Sequence, residues 1–162
     1  MSDKRHLMIT LKQITDIQTL MLWREEVIRN VFGVIPDTEL LESNREYYRK
    51  HIADDSHLAF VAERAGVECG CGAVCLTAEL PSPDNRSGLC AYLMNIYVRK
   101  GFRNQGIAHT IVRRLVEEAQ ARGCGKIYLE TTAEGKPVYS SLGFRDMPDM
   151  MKYIEVREGS KS

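Results

Sequence analysis

Hydrophobic positions along the chain switch between a helical and an alternating period, and each switch marks an element boundary. A short apolar segment from Leu7 to Leu11 predicts an opening strand. Thr15 and Gln18 then form a T-x-x-Q capping box. Behind it Ile17, Leu20, Met21, Arg24, Val27, Ile28 and Val31 follow at helical spacing, which predicts a first helix over 16–31. Gly33 and Pro36 punctuate it. Beyond Asp37 and Thr38 a second helical pattern puts Leu41, Tyr48 and Ile52 on one face and closes at Asp54–Ser56.

The run LAFVAER, from Leu58 to Arg64, is followed by Ala65-Gly66 and by ECGCGAVCLTAEL, whose small residues suit a closely packed strand; together they predict an antiparallel hairpin. The turn-rich PSPDNRSG, from Pro81 to Gly88, reads as a loop, and the apolar run Leu89–Val98 as the next strand. Ile107, Ile111, Val112, Leu115, Val116 and Ala119 form a stripe on a third helix that begins near Gln105 and ends at Gly123. Lys126–Thr131 predicts a strand, Pro137–Leu142 a short helix stopped by Gly143, and Met151–Val156 a last alternating strand. The expected order is βααβββαβαβ in a single domain over residues 1–162, with 157–162 as a frayed tail.

Charge narrows the function classes. Twenty-two basic residues balance 22 acidic ones, so nothing global argues for nucleic acid or a membrane surface. The opening MSDKRHLMITLKQ does not read as a secretory signal, and no stretch approaches the roughly 20 apolar residues of a spanning helix, which makes the cytoplasm the expected address. Five cysteines in such a chain imply reduced thiols; Cys69, Cys71 and Cys75 lack CxxC spacing and a following His pair, so no metal site is expected.

The chemistry concentrates after Val98. Arg103-Asn104-Gln105-Gly106-Ile107-Ala108 is an R-x-x-G-x-A pattern in which a tight turn enters a helix. Free N–H groups at such a start, with the positive end of the helix dipole, suit a pyrophosphate, and Arg99, Lys100 and Arg103 add positive charge. The same residues also fit an ordinary strand-to-helix turn.

The stretch YLMNIYVRKGFRNQGIAHTIVRRLVEEA resembles the acetyl-CoA-binding segment of the GNAT superfamily of N-acetyltransferases, and Tyr139-Ser140-Ser141-Leu142-Gly143-Phe144 resembles that family's Y-x-x-L-G-F signature. The resemblance is strongest from Tyr92 to Phe144 and weak before residue 58. It implies an α/β (α+β) three-layer fold, a mixed, mostly antiparallel sheet with helices on both faces. It also implies acetyl-CoA as cosubstrate, and an acetyl group passed by direct attack to a primary amine on a small molecule or a protein. Carried over by position, Arg103, Asn104, Gln105, Gly106, Ile107, Ala108 and His109 would cradle the pyrophosphate. Ile96, Tyr97 and Val98 would pair with the pantetheine arm, and Thr132 would contact CoA. Tyr139 would protonate the departing thiolate.

No single base stands out. Glu130 shares a face with Thr132 if the strand runs that far, and Glu25, Glu26 and Glu79 are alternatives. Asn95 is a candidate to polarise a carbonyl or orient a water, or else fixes a bulge. His51, His57 and His109 read as surface residues. Helices one and two and the 81–88 loop are expected to wall the acceptor. A non-catalytic CoA sensor is the competing function, and Tyr139 argues against it. A dinucleotide fold lacks its G-x-G-x-x-G turn, and a homodimer stays open.

Overall fold

The computed structural model describes residues 8–156. β1 (Ile9–Ile14) leads to α1 (Ile17–Val27), which continues into one π-helical turn, Ile28–Phe32, and stops at Gly33 with φ +70°. The helix expected over 16–31 thus loses its α register after Val27. Its N-cap is Asp16 rather than Thr15, the Asp16 carboxylate accepting from Thr19 N at 2.9 Å. α2 (Thr38–Ala53) is capped in the same way by Asp37. β1 runs three residues past the expected Leu11, while Leu7 lies outside the described residues.

β2 (His57–Arg64) and β3 (Val67–Ala78) form the expected hairpin across Ala65-Gly66, both at positive φ. β4 (Leu89–Val98) adds antiparallel to β3. α3 (Ile107–Ala121) then crosses over, so β5 (Lys126–Leu129) lies parallel to β4, and the sheet order is β1-β2-β3-β4-β5. α4 (Lys136–Ser141) follows.

The expected final strand is not formed. Residues 151–156 pair with nothing among the described residues, and Met151 is 98% and Tyr153 87% exposed. Their alternation supplies a strand pattern, but a strand persists only where it finds a ladder partner. The order is therefore βααβββαβα.

Helices cover both faces. On one, Ile107, Ile111, Val112, Leu115 and Ala119 of α3 pack on Leu58, Phe60, Val74, Ala91 and Leu93. On the other, α1 and α2 bring Leu20, Met21 and Tyr48 onto Ala59 and Ala73, with Trp23 and Val27 on Val61, Cys71 and Tyr97. An irregularity in β3 shifts the register at Cys69, so Cys69 joins the α3 cluster while Cys71 faces Trp23. Thiols two residues apart therefore serve opposite cores rather than a common ligand. All five cysteines are free. Among the described residues no helix is long and apolar enough to cross a membrane.

α3 lies close to the sheet because β3 carries glycine beneath it. A Cβ at Gly72 would run into Ile111 Cγ2 and stand 3.3 Å from Leu115 Cδ1. Gly72→Ala should therefore cost roughly 1–3 kcal/mol through overpacking, measured as a lower denaturation midpoint with unchanged slope. An unchanged midpoint would show that α3 moves out freely.

Candidate active site

The β4–α3 junction builds an anion cradle from main chain. After a 3₁₀ turn at Lys100–Phe102 the chain passes through left-handed Asn104 (φ +61°) and Gly106 (φ +80°), and α3 starts with Thr110 N donating to Gly106 O at 3.1 Å. None of the backbone N–H groups from Arg103 to His109 donates to a protein acceptor among the described residues. A side chain at 106 would meet no atom within 4 Å, so an anion's approach to these amides is unobstructed. The residues fit a pyrophosphate.

The side chains contribute less charge here than the sequence suggests. Arg99 is taken by Glu26, through bonds of 2.9 Å from both Nε and Nη2, and stacks 4.4 Å from the Trp23 ring. Arg103 turns back to Val98 O at 3.2 Å, and Arg64 binds Gln105.

Beside the cradle, β4 has a free edge. β5 pairs with Cys90–Leu93, and among the described residues no strand pairs with Met94–Val98 on that side. The divergence begins at a bulge: Met94 stands opposite Ala73 and Tyr97 opposite Cys71, and between them Asn95 takes φ +55°. Asn95 Oδ1 accepts from Arg24 Nη1 at 2.8 Å. The amide therefore sits in the bulge with its oxygen engaged and, among the described residues, no acceptor for Nδ2. Ile96, Tyr97 and Val98 lie on the free edge, with Tyr97 buried.

α4 is tied to the cradle by His109 Nε2 and Ser141 Oγ at 2.7 Å. That bond gives the side chain of His109 a structural partner. Tyr139, on the preceding turn, packs edge-to-face on Phe144 with centroids 6.0 Å apart, and burial raises its hydroxyl above the ordinary tyrosine range. Among the described residues the hydroxyl has no hydrogen-bond partner, yet it is not sealed from solvent.

β5 ends at Leu129 rather than Thr131, so the shared face argued for Glu130 and Thr132 does not follow from strand geometry; both are exposed loop residues. Glu130 lies beside Tyr92, whose hydroxyl is pushed up by burial and then by that carboxylate. The other carboxylates are spoken for: Glu25 by Arg29 at 3.0 Å, Glu26 by Arg99, Glu79 by Lys126 at 3.0 Å. The 81–88 loop does not wall this edge. Ser87 Oγ donates to Gly123 O at 2.8 Å, fixing the loop to the α3–β5 turn at the opposite end of β4. A cavity of about 840 Å³ opens past β5 between Val116, Ile127, Leu129 and Phe144, with Glu130 and Tyr139 also in its lining and no residue from 103 to 109.

The fold is that of acetyl-CoA-dependent acyltransferases. The crystal structure of a predicted acetyltransferase with acetyl-CoA from Clostridium acetobutylicum shares the fold at a TM-score of 0.80 and 25% identity, over 91% of this chain and 96% of that one. The chain belongs to the acetyltransferase (GNAT) family, whose model matches residues 21–144. Acetyl-CoA is the cosubstrate of that family. Glucosamine 6-phosphate N-acetyltransferase 1 of Oryza sativa subsp. japonica is 34% identical over 90 residues, 54% of this chain and 53% of that protein. Thialysine N-epsilon-acetyltransferase of Sus scrofa is 30% identical over 97 residues, 46% of this chain and 57% of that protein. The chain spans about half the length of these curated relatives.

His57, expected at the surface, is instead 3% exposed, because it opens β2 beneath α2. Nδ1 meets the Tyr47 hydroxyl at 2.9 Å, Nε2 has no partner among the described residues, and burial lowers the imidazole from 6.5 to about 4. The unfolded chain therefore takes up this proton before the folded one. Stability should be full above pH 6.5 and fall by roughly 3 kcal/mol as pH drops towards 4. Denaturation midpoints across that window should flatten in His57→Gln, and an equal slope in both proteins would exclude His57 as the source.

Proposed function

We propose that this chain transfers the acetyl group of acetyl-CoA to a primary amine by direct attack, the amine belonging to a small molecule or a protein. The observation that carries the reading is the row of free amides from Arg103 to His109 set beside the unpaired edge of β4. An extended ligand ending in phosphates can take main-chain bonds from both at once.

In this reading the amides of Arg103, Asn104, Gln105, Gly106, Ile107, Ala108 and His109 hold the pyrophosphate, and Ile96–Val98 pair with the pantetheine arm. Thr132 adds a contact from the loop after β5. When bound, the cosubstrate supplies an acetyl group activated as a thioester. Asn95 offers its free Nδ2 to a carbonyl oxygen. Glu130 has no basic partner within ion-pair distance among the described residues, and takes the proton that the attacking amine must shed. Tyr139 delivers its hydroxyl proton to the departing sulfur, and its raised pKa keeps that proton in place at neutral pH. The cytoplasm and a single domain fit a chain whose cysteines are all free.

Acetyl-CoA at one hundred times its dissociation constant should stabilise the chain by about 2.7 kcal/mol in thermal unfolding, and NADH should not. Gly106→Val should weaken that protection, because a branched side chain in a left-handed position crowds the cradle and strains the turn. Protection equal to wild type would move the phosphate site elsewhere. Tyr139→Phe should keep CoA affinity while kcat for CoA release with a panel of amines falls roughly 10²–10⁴-fold. Full turnover in a folded variant would overturn the proton-donor role.

A further inference from the structure

Arg24 is the side chain whose surroundings the fold alone does not explain. It lies in the apolar stripe of α1 and points at the bulge in β4, partly buried. Nε donates to Asn44 Oδ1 at 2.9 Å and Nη1 to Asn95 Oδ1 at 2.8 Å, while Phe32 lies 5.6 Å from the guanidinium carbon. Among the described residues no carboxylate comes within ion-pair distance of it. The two acidic residues next to it on α1 are committed elsewhere, Glu25 to Arg29 and Glu26 to Arg99. The groups that face it from the packed elements are neutral at pH 7: Asn44, Tyr47 and Tyr48 of α2, His57 of β2, Cys71 of β3 and Asn95 of β4.

A half-desolvated guanidinium is normally matched by an anion, because burying its charge against dipoles alone is costly. Arg99 with Glu26 and Arg114 with Glu118 follow that rule, while the partly buried Arg64 meets the amide oxygen of Gln105. Arg24 keeps Nη2 without a protein acceptor among the described residues, and the N–H groups there can donate to an oxyanion. Asn95, which it grips, directly precedes the β4 edge assigned to the pantetheine arm, so an anion on Arg24 would sit on the acceptor side of the transferred group. We infer that Arg24 recognises the acceptor, and that the acceptor is a primary amine carrying a carboxylate or a phosphate. This inference rests on the acetyl-transfer reading.

Matched acceptors test it: lysine against cadaverine for a carboxylate, glucosamine 6-phosphate against glucosamine for a phosphate. Wild type should prefer the anionic member of at least one pair by about 10- to 100-fold in kcat/KM, the worth of a charged hydrogen-bonded contact, and the pair that shows it names the anion. Arg24→Gln should lose that preference, KM rising more for the anionic member than for the member without the anion, and Arg24→Lys should recover part of it. Where turnover is too slow to measure, the anionic member should raise the melting temperature of the CoA-bound wild type but not of CoA-bound Arg24→Gln. Equal use and equal binding of both members in both pairs, or a preference that survives Arg24→Gln, would overturn the inference. Absence of protection by acetyl-CoA in the wild type would overturn the acetyl-transfer reading and this inference with it, whereas protection without any anion preference overturns this inference alone.

Discussion

Ile111 and Leu115 occupy the space that a side chain at residue 72 would need, and that contact sets how closely α3 lies on the sheet. The distance matters because α3 carries the cradle at its N-terminus and its stripe anchors on Leu58, Phe60, Val74 and Leu93. A helix standing further off would carry its first turn away from the end of β4. With α3 seated, the His109–Ser141 bond places α4, and α4 places Tyr139. Packing at one glycine is thus transmitted through rigid elements to the proposed proton donor, some 70 residues further along the chain.

The second constraint is the bulge at Asn95. Were β4 regular, its edge could continue to pair with β5 and the main chain would be consumed by the sheet. The extra residue turns the strand, and β5 stops after four residues, so the edge from Met94 to Val98 remains for a ligand. Asn is suited to the position because its short amide tolerates positive φ. The amide also gives Arg24 something to hold, which joins α1 to the strand at the point where the two strands part.

Local patterns were legible in the sequence. The stripes of α1, α2 and α3, the Ala65-Gly66 hairpin and the turn into α3 are all set by neighbours within a few residues, and the fold follows from them. Contacts made across the fold were not. Glu26 and Arg99 stand 73 residues apart, and only the folded chain shows that this pair cancels charge credited to the cradle. His57 gave no sign of burial because α2, which covers it, is placed by tertiary packing. The 151–156 alternation gave a false sign because periodicity cannot report whether a partner edge is at hand. Arg24 stood in the sequence as one more member of the α1 stripe, and its bonds to Asn44 and Asn95 appear only in the folded chain.

Stopping β5 after four residues also has a colloidal consequence. Its outer edge pairs with no strand among the described residues, and an open edge is the usual template for joining one molecule to the next. Lys126 at its start and Glu130 just beyond its end bracket the exposed ladder with opposite charges, and the stretch is too short to seed a stable sheet with another copy. The truncation that opens main chain to a ligand on one side of β5 thereby limits aggregation on the other.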